Sequence, residues 1–146
     1  MNSHNAINIK VADIMTTPVV TIAMDDRLVE VKNIFDHVSF HHLIVLDADT
    51  LVGVLSYREY LAALSPRIGT AAEYTRDTET LNKRVHQVMK HFPQTISADQ
   101  NLIQASELIL ANNIDCLPVI ENNQVTGIIT WKDVLIAYKN LAIATA

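Results

Sequence analysis

At 146 residues, 49% of them apolar and 5% aromatic, the chain is sized for one compact domain or a pair of small units sharing an aliphatic core. Its formal net charge of −5 comes with no basic block, which argues against holding nucleic acid by counterion displacement. Cys116 is the only cysteine, so no intramolecular disulfide can form; with polar first residues and no spanning run of about 20 apolar residues, a cytoplasmic protein without a membrane role is expected.

Taken in chain order, Val19-Val20-Thr21-Ile22 after Pro18 predicts a short strand. Asp25-Asp26 then predict the start of a helix running to about Ser39, with Leu28, Val31, Ile34, Phe35 and Val38 at helical spacing. The apolar run Leu43-Ile44-Val45-Leu46 fits a strand covered on both faces, followed by a turn at Asp47-Ala48-Asp49-Thr50. A closing strand to Leu55 and a helix from Ser56 complete the order β-α-β-β-α. Residues 65–84 read as a linker, with part of Ala71 to Leu81 expected to be helical or the region mobile.

The same order then returns. Shifted by 74 residues, the chain overlays on itself without a gap: Met15 meets Met89, Asp25 meets Asp99, Val45 meets Val119 and Gly53 meets Gly127. In this second copy Ser97-Ala98-Asp99-Gln100 reads as a capping box, with Leu102, Ala105, Leu108 and Ile109 as the buried stripe. Leu117-Pro118-Val119-Ile120 is the central strand, in which Pro118 must point its nitrogen off the ladder or sit at the strand's start. Asn122-Asn123 supply a hairpin turn tolerant of positive φ, and Lys132 to Ile143 extend the last helix with Val134, Leu135, Tyr138 and Leu141 along one side. Each repeat alone is too small to bury enough surface, so the copies (10–64 and 85–143) are expected to fold as one unit with a cleft between them.

The most specific local pattern is Gly127-x-x-Thr130-x-x-Asp133, echoed as Gly53, Ser56 and Glu59. A helix starting at a strand's end turns unpaired N–H groups outward, where they favour an anion such as phosphate. A hydroxyl there can donate to the same anion, and a carboxylate one turn inside can accept from a ribose diol. The same spacing is also a plain capping box that bonds only its own backbone. Both readings stay open at this stage.

Together, Val11-Ala-Asp-Ile-Met-Thr-Thr-Pro, Leu-Pro-Val-Ile at 117–120 and Gly-Ile-Ile-Thr-Trp-Lys-Asp at 127–133 resemble the CBS domain, named after cystathionine β-synthase. The resemblance covers the chain from about Lys10 to Tyr138 and is to paired repeats, or Bateman modules, including stand-alone bacterial proteins labelled acetoin-utilisation-like. It implies a mixed α+β (α/β) fold of two β-α-β-β-α units packed sheet to sheet with pseudo-two-fold symmetry, often as a homodimer. It further implies an adenosine-type ligand (AMP, ADP, ATP or S-adenosylmethionine) bound between repeats, with no cofactor required. Carried over by position, Thr130 would face phosphate or ribose and Asp133 the ribose hydroxyls. Thr21, Ile22, His41, Thr95, Ile96, Asp115 and Leu117 would flank the base. Ser56 and Glu59 are the weaker counterpart, because the extra methylene of Glu59 displaces its carboxylate.

Among the remaining residues, Lys132 and Arg58 are either solvated charges or phosphate contacts, and Trp131 and Tyr57 either stack on a base or pack against protein. Adjacent His41 and His42 point to opposite faces of a strand and no zinc-finger spacing accompanies them, so no metal is expected. Cys116 reads as a small buried hydrophobe. Three glycines exclude a P-loop and a dinucleotide fingerprint, and no catalytic grouping stands out. A regulatory module that signals to an unidentified effector protein is the expectation; a non-catalytic structural adaptor with no nucleotide bound is the alternative.

Overall fold

In the computed structural model, which describes residues 5–145, the two central apolar runs become the middle strands of two sheets. In the first, β1 (Thr21–Ala23) runs parallel to β2 (His42–Asp47), and β3 (Thr50–Ser56) runs antiparallel along the other side of β2. A fourth strand, β4 (Lys90–His91), joins β3. The second sheet repeats the order with β5 (Ile96–Ser97), β6 (Cys116–Glu121) and β7 (Gln124–Thr130). Leu43, Ile44 and Val45 are all buried, as are Leu117, Pro118 and Val119, which is why these runs are continuously apolar rather than alternating.

Helices α1 (Val11–Ile14), α2 (Leu28–Phe35), α3 (Tyr57–Ala63), α4 (Thr75–Thr78), α5 (Leu102–Asn112) and α6 (Trp131–Thr145) fill the remaining order. The boundaries of two helices differ from expectation. Asp25-Asp26 form a turn, in which Asp26 Oδ2 accepts from Ala23 N at 3.1 Å, and α2 begins only at Leu28 and stops at Phe35. In the second copy the cap is Asn101, not Ser97: Asn101 Oδ1 accepts from Gln104 N at 2.9 Å while Gln104 Oε1 accepts from Asn101 N at 3.0 Å. Ser97 N donates to Gln100 Oε1 at 2.9 Å, but this closes a turn ahead of the helix. α5 outlasts α2 by three residues and ends where Asn113 takes the left-handed conformation (φ 51°). Asn122 and Asn123 both have positive φ, as a two-residue hairpin loop demands.

The chain divides into two units whose boundaries cut across the repeats. One unit joins the stretch up to Val19 to everything from Gln94 onward; the other is Val20–Pro93. The reason lies in matched hydrogen bonds. Val11 N donates to Gln100 O at 2.7 Å and Ala12 N to Ala98 O at 2.9 Å. Their counterparts, Val85 N and His86 N, donate to Asp26 O at 2.8 Å and Met24 O at 3.0 Å. Each arm also drives an apolar anchor home. Val11 is fully buried with Ile96, Ala105, Leu117, Val119 and Ile129, and Val85 is fully buried with Leu28, Val31, Leu43 and Leu55. Burial of one such side chain stabilises by about 1.5–3 kcal/mol.

The segment after α3 is partly ordered as expected, by α4 and a 3-10 turn at Glu79–Asn82. Asp77 organises it, accepting from Tyr74 N and from Ser65 Oγ, both at 2.8 Å. The Tyr74 N–H, followed by the Ser65 hydroxyl, holds the Asp77 carboxyl below the usual carboxylate range. On α6 the buried side is Ala137 with Val134 and Leu141, Leu135 faces outward, and the Tyr138 hydroxyl accepts from Ser106 Oγ on α5 at 3.2 Å. Cys116 is buried. Among the described residues no helix is long and apolar enough to cross a membrane.

Candidate functional site

Strand β7 delivers Thr130 to the first turn of α6, and the expected cap forms around it. Thr130 N donates to Asp133 Oδ2 at 2.9 Å, Thr130 Oγ1 donates to the same oxygen at 3.1 Å, and Asp133 N reaches back to Thr130 Oγ1 at 3.4 Å. A third donor, and second hydroxyl, arrives from the N-terminal arm: Thr16 Oγ1 lies 3.2 Å from Asp133 Oδ1 and 3.3 Å from Oδ2. Donors therefore crowd one oxygen and leave Oδ1 with a single long contact. A carboxylate offers about four acceptor positions, so Asp133 keeps room for an incoming hydroxyl. Among the described residues no ion pair reaches Asp133.

Sequence reasoning missed Thr16, because its partner lies 117 positions away and no local pattern joins them. The one available signal was indirect, in that Met15 and Gly127 both belong to the repeat. A Cβ on Gly127 would run into Met15 Sδ, so the glycine admits the methionine that carries Thr16 alongside. On Gly53 a Cβ would lie 2.5 Å from Met89 Sδ and 2.8 Å from the Lys90 carbonyl oxygen. In this structure both glycines accommodate the protein's own arm.

The counterpart site completes a full capping box. Ser56 N donates to Glu59 Oε2 at 2.8 Å and Glu59 N to Ser56 Oγ at 3.3 Å. Here the arm brings Lys90 in place of Thr16, with Nζ 3.3 Å from Glu59 Oε1. An open cavity of about 440 Å³ borders Glu59, lined also by Ala62, Ala63, Lys83, Gln87 and Val88; it does not touch Thr130 or Asp133.

The other candidate residues separate by burial. Ile22, Ile96 and Leu117 point into the cores of their own units, so only their backbone is available to a ligand. Thr21, Thr95, His41 and Lys132 are exposed, and Asp115 is half-buried. The carbonyls of Asp115 and His41 accept from Trp131 N at 3.0 Å and Tyr57 N at 2.8 Å, which ties the first N–H of each helix to protein rather than leaving it for an anion. Tyr57 packs edge-on against Phe35 with ring centres 5.3 Å apart and lies 5.5 Å from His41 and 5.8 Å from Tyr60. Trp131, its counterpart, is 55% exposed.

Comparison with known proteins places this geometry. A family model described as the CBS domain matches residues 11–66 and 85–140. The chain is 30% identical over 135 residues to an inosine-5′-monophosphate dehydrogenase of Methanocaldococcus jannaschii, covering 90% of this chain and 24% of that enzyme. It spans less than half the length of the first three curated relatives it matches. Among solved structures, CBSX2 in complex with AMP superposes with a TM-score of 0.73 at 25% identity, covering 90% of this chain and 97% of that one. The CBS domain pair of protein MJ0100, in complex with 5′-methylthioadenosine and S-adenosyl-L-methionine, superposes at 0.74 with 21% identity, covering 90% and 96%.

Proposed function

Because the chain belongs to the CBS-domain family, we propose that it is a non-catalytic regulatory module that binds an adenine nucleotide or adenosyl compound beside Thr130 and Asp133 and signals to another protein. The observation that carries the reading is the Asp133 carboxylate, polarised by three hydroxyl and amide donors at the start of a 15-residue helix, with one oxygen lightly used and, among the described residues, no cation paired to it. Such a group accepts from a sugar hydroxyl, and the complexes with AMP and with adenosyl compounds seen in similar structures support that ligand class. Thr95 and the backbone around Asp115 and Leu117 are the further contacts this reading calls on. Trp131 and Leu135 leave exposed apolar surface on α6, in keeping with a second copy of the chain or an effector as partner.

A ligand shifts a module between states only by its different affinity for them. Binding itself is tested by thermal unfolding. At about a hundred times Kd a ligand adds about 2.7 kcal/mol, or about 5 to 10 °C for a chain this size. We expect that shift with AMP or S-adenosylmethionine and its loss in Asp133→Ala.

The completed Thr130–Asp133 cap favours a second reading, an adaptor whose helix start is closed by its own residues. In that case Asp133→Ala lowers the melting temperature, and neither protein responds to any adenosine compound at millimolar concentration.

A further inference from the structure

Position 16 and its counterpart 90 carry the clearest chemical difference between the two helix starts. The frames around them are duplicated: Met15 lies over Gly127 as Met89 lies over Gly53, and Trp131 N bonds Asp115 O as Tyr57 N bonds His41 O. Within those frames a hydroxyl faces Asp133, and an ammonium faces Glu59.

We propose that this one position decides which unit accepts a hydroxyl-bearing ligand: Thr16 leaves the Asp133 carboxylate an open acceptor, while Lys90 closes Glu59. The inference rests on Asp133 being the ligand's acceptor, as argued above. Both Glu59 oxygens are engaged, Oε2 by Ser56 N at 2.8 Å and Oε1 by Lys90 Nζ at 3.3 Å. The Glu59 side chain is 18% exposed and that of Lys90 54%, so the pair is shielded from water on the carboxylate's side alone. A charged donor holds a carboxylate more strongly than a neutral hydroxyl does, so a sugar would exchange a better partner for a poorer one. At Asp133 the Thr16 hydroxyl is neutral, so a ligand hydroxyl joins it without displacing a cation.

The experiment is calorimetric titration of AMP, and separately of S-adenosylmethionine, into the wild-type protein, T16K and the double variant K90T/E59D. We expect one equivalent in the wild type, affinity weakened about tenfold or more in T16K, and two equivalents in the double variant. Two equivalents in the wild type, wild-type affinity in T16K, or a double variant still at one equivalent would each overturn the inference and leave the reading of Asp133 standing. No binding of either ligand to any of the three proteins overturns both. Should the melting curve of T16K show that it does not fold, the double variant decides alone, since a gained site cannot arise from lost structure.

Discussion

In the Val20–Pro93 unit the start of α3 is wrapped in Phe35, Tyr60 and His41 around Tyr57, and its carboxylate is paired with Lys90. In the unit that resumes at Gln94, the equivalent positions hold Ile109, Val134, Asp115 and Trp131, and the carboxylate meets the Thr16 hydroxyl. One repeat has put its aromatic residues and its cation into self-contact. The other has left a tryptophan exposed and an acceptor lightly used. Duplication thus preserved the backbone hydrogen bonds of the frame, while a few side-chain exchanges gave one helix start a paired cation and the other a neutral hydroxyl.

The comparison is broken most forcefully in the cores. Leu43 and Leu117 are matched and both fully buried, so Leu43→Ala and Leu117→Ala should each cost about 2–5 kcal/mol, within about 1 kcal/mol of each other, by urea unfolding. A large inequality would show that the two cores are not equivalent supports.

The next effect separates the parallel ladders. Ile44 N donates to Val20 O at 3.0 Å, a bond its counterpart Pro118 cannot make, and β1 pairs over three residues where β5 pairs over two. Ile44→Pro should cost about 2 kcal/mol and Pro118→Ile should gain about 1 kcal/mol, read from the urea midpoints. A loss on Pro118→Ile would mean that the shorter ladder has another cause.

Smaller again is the contrast between the glycines. At Gly53 an added methyl meets the backbone of Lys90 as well as Met89, whereas at Gly127 its three nearest atoms all belong to the flexible Met15 side chain. Gly53→Ala should therefore cost about 1–3 kcal/mol and Gly127→Ala clearly less, in the same assay. Equal costs would count against the arm backbone as the cause.

The least effect is a pH dependence confined to one unit. Burial, then the charges of Asp36 and Tyr57, pushes the Tyr60 hydroxyl up to about 12 from its ordinary 10.0, and its counterpart Val134 does not titrate. With the folded value raised, the contribution of neutral Tyr60 is fully present below about pH 10 and is lost as pH rises toward 12. Tyr60→Phe should flatten that alkaline decline in urea midpoints; an unchanged slope would assign it to other groups.

Much of the fold was legible because it is local. The Asn122-Asn123 turn, the continuously apolar central strands and the helix start at Thr130 follow from φ preferences, two-face burial and capping chemistry. The misplaced cap at Ser97 shows where local reading stops. Ser97-x-x-Gln100 and Asn101-x-x-Gln104 are equally good signals, but Ala98 and Gln100 are held in a turn whose carbonyls accept hydrogen bonds from Ala12 and Val11. That demand comes from another part of the chain, and it pushes the helix start along to Leu102.

By itself, then, the sequence determined the repeat, the order of its strands and helices, and the carboxylate one turn inside each final helix. Tertiary structure alone decided that the arm ending in Thr16 closes on Asp133, and that the arm carrying Lys90 closes on Glu59. Periodicity records that Val11 and Val85 are apolar, but not which core receives them. That choice is made by contacts between residues far apart in the chain, where complementary backbone donors, acceptors and apolar pockets meet only in the folded protein.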